Sequence, residues 1–160
     1  MAKQTLKAGS KAPAFSLTDQ DGKKVALKDL AGQWVVLYFY PKDDTPGCTT
    51  EACEFTSALE QFDKLGGCVV GISPDLPDSH RKFIAKYKLK LSLLSDPDHK
   101  VLAKYGAWGT KSMYGKTHEG VNRSTVLVDP DGRVAAHWPK VSPAGHAEEV
   151  RQKLEELSTG

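Results

Sequence analysis

Seven consecutive apolar residues, Trp34-Val35-Val36-Leu37-Tyr38-Phe39-Tyr40, stand between polar segments and end at Pro41. A run this short, rich in β-branched and aromatic side chains, is expected to form a central strand covered on both faces. After Pro41 the period changes. Ala52, Phe55, Leu59 and Phe62 recur at helical spacing, behind a start signal in Thr45-Pro46-Gly47-Cys48 and before a stop at Gly66-Gly67. Cys68-Val69-Val70-Gly71-Ile72-Ser73 then reads as a second buried strand. Strand, helix and strand of these lengths make a crossover unit with two parallel strands, which commits the chain to an α/β sheet.

The flanking sequence extends that sheet. Phe15-Ser16-Leu17 and Val25-Ala26-Leu27 alternate around the turn signal Asp21-Gly22, predicting an N-terminal β-hairpin. A helix is expected over Asp78 to Tyr87, a short strand over Leu91 to Leu94, and a short helix over Lys100 to Tyr105. Gly106 to Asn122 is polar and Gly-rich and reads as a long functional or mobile loop. Ser124 to Val128 and Val134 to Trp138 flank Asp129-Pro130-Asp131-Gly132 as an antiparallel hairpin, and Val150, Leu154 and Leu157 mark a closing amphipathic helix. The expected fold class is α/β, a central mixed β-sheet flanked by helices, within one domain spanning residues 1–160. This order is compatible with a thioredoxin-like fold.

Composition narrows the function. Lys and Arg outnumber Asp and Glu by 22 to 20 and are scattered, so the concentrated basic patch that nucleic acid requires is missing. The apolar run at Trp34 is far short of the ~20 residues of a membrane-spanning helix. Met1-Ala2-Lys3-Gln4 lacks the apolar stretch of a secretory signal, and a cytoplasmic location is expected. Three cysteines, Cys48, Cys53 and Cys68, are too few for a disulfide scaffold. Cys48 and Cys53 have no second Cys or His pair at zinc-like spacing, which leaves redox chemistry as the better reading of the pair.

Thr45 is a good N-cap residue, and Pro46 suits the first helical position. Cys48 then falls in the first turn, where free backbone N–H groups and the helix dipole favour negative charge. The thiolate is the reactive form of cysteine, and helix N-termini favour it. Cys48 is also in phase with Ala52 and Phe55, so taken alone it reads equally as a small core residue. Cys53 lies five residues on. In an ideal helix the two Cα atoms are about 8.5 Å apart, beyond the ~7 Å reach of a disulfide. The two can bond only if the first turns unwind, and Gly47, Thr49 and Thr50 are weak helix formers there.

Pro41-Lys42-Asp43-Asp44-Thr45-Pro46-Gly47-Cys48 fits the Pro-x-x-x-Thr-x-x-Cys motif and resembles the peroxiredoxins. With Thr49-Thr50-Glu51-Ala52-Cys53, Gly71-Ile72-Ser73-Pro74-Asp75 and Arg123-Ser124-Thr125…Asp129…Gly132 added, the chain is similar along its length to the bacterioferritin comigratory protein, or peroxiredoxin Q, subfamily. The resemblance implies a thioredoxin-like fold and a thiol peroxidase acting on hydrogen peroxide and organic hydroperoxides. Cys48 would be the peroxidatic cysteine, oxidised to a sulfenic acid. Thr45 would orient the peroxide, Pro41 would shield the thiolate, and Arg123 would stabilise developing charge. Cys53 would resolve the sulfenic acid as an intramolecular disulfide, opened by thioredoxin or a similar thiol reductant. Some subfamily members carry the resolving cysteine on a later helix, but Ser79 to Tyr87 contains none. No metal or organic cofactor is required, and an intramolecular bridge suits a monomer.

Plainer roles stand beside these. Thr45 can be only a cap, Pro41 only a strand end, and Trp108 either a packing residue or part of the substrate entrance. Cys68 is expected to be buried and inert. Glu51 needs no more than its place near a helix N-terminus to be explained, and a pairing with Arg123 is the less favoured alternative. The competing functions are a thioredoxin-like disulfide oxidoreductase, which normally carries the C-x-x-C absent here, and a redox sensor or holdase using the same cysteines.

Overall fold

The computed structural model describes residues 6–113 and 115–159; the N-terminal segment Met1 to Gln4 discussed above lies outside them. In chain order the strands and α-helices are β1 (Ser16–Thr18), β2 (Lys24–Ala26), β3 (Trp34–Phe39), α1 (Pro46–Lys64), β4 (Gly67–Ser73), α2 (Pro77–Tyr87), β5 (Ser92–Ser95), α3 (Lys100–Lys104), β6 (Trp108–Met113), β7 (Lys116–Val121), β8 (Ser124–Val128), β9 (Val134–Trp138) and α4 (His146–Thr159), with a 3-10 turn over Leu27–Leu30 between β2 and β3. Seven strands form one mixed sheet in the order β2-β1-β5-β4-β3-β8-β9. The expected α/β class and the N-terminal hairpin are both present.

The apolar run at Trp34 is the interior strand β3, parallel to β4 and antiparallel to β8. Alternation splits its side chains between two cores. Val35, Leu37 and Phe39 point into one, which is closed by Phe15 and by Val101, Leu102 and Tyr105 on and beside α3. Val36, Tyr38 and Tyr40 point into the other, beneath Cys48, Ala52, Phe55 and Phe62 of α1 and Val150 and Leu154 of α4. Both faces are therefore covered, which is why β3 carries no polar residue. Gly66, at φ +78°, turns the chain out of α1 in the left-handed conformation that favours glycine.

Opposite Tyr38, β4 carries Gly71, and a Cβ there would lie 2.8 Å from both the Tyr38 ring and Leu93. Only glycine leaves room for the phenol. Gly71→Ala is expected to cost about 2 kcal/mol through overpacking, measurable as a lower urea midpoint with an unchanged slope.

The region read as a long loop is a second, two-stranded sheet: β6 and β7 pair antiparallel from Trp108↔Val121 to Met113↔Lys116, with Gly115 at φ +77° in the turn. Its two strands are mostly polar and contain glycine, without the apolar alternation by which half-buried strands are recognised. At its base Trp108 stacks on the His99 ring at 3.7 Å and its Nε1 donates to Glu119, so this tryptophan packs the ribbon onto the domain.

Among the described residues no helix is long and apolar enough to cross a membrane.

Candidate active site

The topology brings three distant segments to the C-terminal end of β3. The Pro41–Thr45 loop and the first turn of α1 follow that strand directly. Ser73 to Asp75 leave the end of the parallel neighbour β4. Because β8 runs antiparallel, with Ser124 opposite Phe39, its first residues lie at the same end and place Arg123 beside α1.

Pro46 occupies N1 and Cys48 N3 of α1, as the start signal implies. Thr45 is the N-cap in backbone conformation, but its side chain caps nothing. The hydroxyl turns back and donates to the Lys42 carbonyl at 3.0 Å, because Asp44, at φ +59°, folds the loop into a tight turn. Among the described residues no donor is bonded to the Thr45 hydroxyl oxygen. Pro41 is half-buried just after Tyr40, whose N–H donates to Ile72 and so ties the loop to β4.

Cys48 is 1% exposed. Arg123 reaches it through Nη2, 3.1 Å from Sγ, while Nη1 donates to Glu51 Oε1 at 2.6 Å. The guanidinium fork thus spans a sulfur and a carboxylate one helical turn apart. Gly47 makes this approach possible, since a Cβ on it would sit 3.2 Å from Arg123 Nη2 and 3.2 Å from Pro143. The Arg123 carbonyl accepts from Val141 N–H at 3.0 Å, which fixes the residue from behind.

The structure selects the less favoured reading of Glu51, the pairing with Arg123, over a helix-dipole role alone. Glu51 lies beyond the first turn and is fully buried. Its position is a readable signal: three residues from Cys48, it falls on the same inward stripe, and an acid there requires a counter-charge. The partner is 72 positions away in sequence, at a distance that helical periodicity does not reach. Glu51 Oε2 and the Tyr38 hydroxyl have no hydrogen-bond partner among the described residues. Burial pushes the Glu51 carboxyl up to about 7, with Arg123 pulling the other way.

A stability effect follows. The folded state holds a proton that the unfolded carboxyl releases near its ordinary value of 4.5. Stability is therefore highest below that value and falls as pH rises through about 7, by up to about 3 kcal/mol. Urea midpoints measured from pH 5 to 8 should decline more steeply for the wild type than for Glu51→Gln; parallel curves would show that Glu51 does not titrate in this window.

Cys53, on the same helix, is half-buried and borders a shallow groove of about 390 Å³ between α1 and α4, shared with Glu54, Ser57, Ala58, Gln61, Ala147 and Glu148. All three cysteines are free. Cys68 is only partly buried and packs against the core on the other face of the sheet from Cys48. Burial still raises its thiol to about 11, so it stays protonated near neutrality. Cys68→Ser is expected to leave peroxide turnover within about twofold of wild type and to cost about 1 kcal/mol of stability. A folded but inactive variant would make Cys68 a participant.

Residues 8–137 match the AhpC/TSA family. Peroxiredoxin Bcp of Bacillus subtilis is 43% identical over 154 residues, covering 96% of this chain and 98% of that protein. Peroxiredoxin Bcp of Escherichia coli is 44% identical over 151 residues, covering 94% and 97%. Among solved structures, Xanthomonas campestris bacterioferritin comigratory protein, studied for alkyl peroxide reduction, superposes with a TM-score of 0.89 at 40% identity, covering 95% of this chain and 99% of that one. Xylella fastidiosa PrxQ, solved as a Cys-to-Ser mutant, gives 0.90 at 36% identity, covering 97% and 99%.

Proposed function

Since the chain belongs to the AhpC/TSA family as a peroxiredoxin of the Bcp and peroxiredoxin Q type, we propose that Cys48 is its peroxidatic residue and Cys53 its resolving residue. The observation that carries this reading is the 3.1 Å contact between Arg123 Nη2 and Cys48 Sγ in the first turn of α1. A cation held against a sulfur at a helix N-terminus is arranged for a thiolate.

The sulfur attacks one oxygen of the peroxide. The S–O bond forms as the O–O bond breaks, leaving a sulfenic acid on Cys48 and an alcohol or water once the departing oxygen takes up a proton. Arg123 meets the negative charge as it moves from sulfur to oxygen. Its fixed, planar donors need no reorganisation to do so. The Thr45 hydroxyl, whose O–H donates to the Lys42 carbonyl, accepts the O–H of the peroxide and sets its direction. Pro41 covers the sulfur without adding a donor that would compete for it.

Cys53 then attacks the sulfenic sulfur, forming the disulfide and releasing water. A dithiol reductant of the thioredoxin class opens that bond by exchange. The groove beside Cys53 gives such a reductant access. An intramolecular bridge needs no second subunit, which supports a monomer. Three free cysteines suit the reducing cytoplasm. We read residues 1–160 as one domain.

The deciding experiment couples peroxide consumption to thioredoxin, its reductase and NADPH, with reduction of insulin disulfides run in parallel. Peroxide-dependent NADPH oxidation without insulin reduction is the expected result, and the reverse pattern would assign a disulfide oxidoreductase. Arg123→Ala should slow the reaction of Cys48 with peroxide by about a hundredfold, the usual scale for losing a donor to developing charge. An unchanged bimolecular rate would remove Arg123 from the mechanism.

A further inference from the structure

We propose that Asp43 and His80 form a buried ion pair that positions the Pro41–Thr45 loop for the reaction with peroxide, a role that rests on the assignment of Cys48 as the reacting residue. Asp43 is buried between Pro41 and Thr45, and His80, on α2, is fully buried. His80 Nε2 lies 3.1 Å from the Leu94 carbonyl, which can only accept, so Nε2 carries a proton. Nδ1 lies 2.7 Å from Asp43 Oδ2. That carboxylate already accepts from the Tyr40 hydroxyl at 2.6 Å and the Ser79 hydroxyl at 2.8 Å. The Tyr40 hydroxyl also stands 3.4 Å from Nδ1, but its hydrogen is directed to Asp43 Oδ1; an acceptor therefore faces each ring nitrogen, and the proposed pair is imidazolium and carboxylate.

Asp75 is the second acid of this cluster. Its Oδ2 accepts from the Asp43 N–H at 2.7 Å and from the Ser73 hydroxyl at 2.9 Å. Asp43, Asp75 and His80 present ligand-type atoms within 4.8 Å of one another. Asp43 Oδ1 and Oδ2, Asp75 Oδ2 and His80 Nδ1 are engaged in the bonds just described, and a cation held by them would have to break those bonds. The cluster is closed on itself. Its effect is to fasten one loop residue to the end of β3, the segment after β4, α2 and β5.

Asp44 adds an outer tether to Lys86 Nζ at 2.8 Å and the Tyr87 hydroxyl at 2.7 Å. Exposed pairs of this kind hold weakly. The position of Thr45, two residues on, therefore depends on Asp43. A buried pair that loses one partner leaves an uncompensated charge, and the loop would shift to solvate it.

The test separates positioning from general damage by comparing two reactions of Cys48 in the full-length protein. Hydrogen peroxide must be oriented by the loop, whereas alkylation by iodoacetamide needs only a reachable thiolate. Asp43→Ala should slow the peroxide reaction at least about tenfold while alkylation stays within about twofold, the signature of lost alignment. Asp43→Asn should recover the peroxide rate to within about threefold, because its amide oxygen still accepts from Tyr40 and its NH2 donates to a neutral His80. Nitrogen-15 spectra should show both His80 ring nitrogens protonated in the wild type and only Nε2 protonated in Asp43→Asn.

An Asp43→Ala protein that reacts with peroxide at the wild-type rate would overturn the proposal, as would equal losses in both reactions. If Asp43→Ala does not fold, Asp43→Asn decides: a neutral His80 in the wild type, or an imidazolium that survives the substitution, defeats the pair. A wild-type protein whose Cys48 ignores peroxide would defeat the peroxidase assignment itself, which the alkylation and His80 measurements distinguish from failure of the pair.

Discussion

Cys48→Ser is expected to lower peroxide turnover by at least about a thousandfold while leaving the protein folded. Serine differs from cysteine by one atom and is slightly smaller, so the buried first turn of α1 keeps its packing against Tyr38 and Phe55. The hydroxyl can still accept from Arg123, in place of the 3.1 Å contact to sulfur. What it cannot do is ionise near neutral pH, and an alcohol oxygen is a poor nucleophile towards peroxide. Binding and chemistry are thereby separated. The variant should match wild type in thermal melting and in far-UV circular dichroism, yet consume no peroxide above the uncatalysed rate with thioredoxin, its reductase and NADPH present. Residual turnover of a tenth or more of wild type would move the reaction to another residue, with Cys53 the first to examine.

The contrast between what the chain discloses as text and what required coordinates follows from the range of each signal. β3, α1 and β4 are legible because both faces of β3 are covered and α1 buries one stripe, so burial is written as an unbroken or periodic run. The place of Cys48 at N3 is equally local, set by Thr45 and Pro46 next to it. The β6–β7 ribbon escapes the same reasoning because its two strands carry no apolar alternation. Arg123 became visible only through a family motif; nothing in its neighbours says that β8 would run antiparallel to β3 and deliver it to α1. Glu51 and Asp43 show the limit most clearly. Each is an acid in a segment with ordinary reasons to hold acids, a helix start and a turn. What distinguishes them is burial against Arg123 and His80, 72 and 37 positions away. Pairing across such separations depends on strand order and register, which are properties of the whole sheet.

Oxidation is expected to unwind the first two turns of α1. In the reduced protein α1 is continuous from Pro46 to Lys64 and contains both cysteines, with Thr49 N–H already bonded to the Thr45 carbonyl at 2.8 Å. On that helix the two Cα atoms are about 8.5 Å apart, too far for a disulfide. The bridge therefore requires the hydrogen bonds between Thr45 and Cys53 to open and Cys48 to leave Arg123. Opening should stop near Phe55, which is fully buried together with Phe62 and anchors the rest of α1 to the core. Amide hydrogens of Thr49 to Cys53 should exchange about a hundredfold faster or more in the oxidised form, while those after Phe55 keep their protection. Cys53→Ser removes the resolving thiol, so the sulfenic acid on Cys48 persists. Excess peroxide should then carry it to the sulfinic acid, seen by mass spectrometry as two added oxygens on the peptide containing Cys48. The wild type should instead yield a peptide cross-linked between Cys48 and Cys53. Equal protection of Thr49 to Cys53 in both redox forms, with that cross-link present, would mean that the helix accommodates the bond without unwinding and that the geometric argument is wrong.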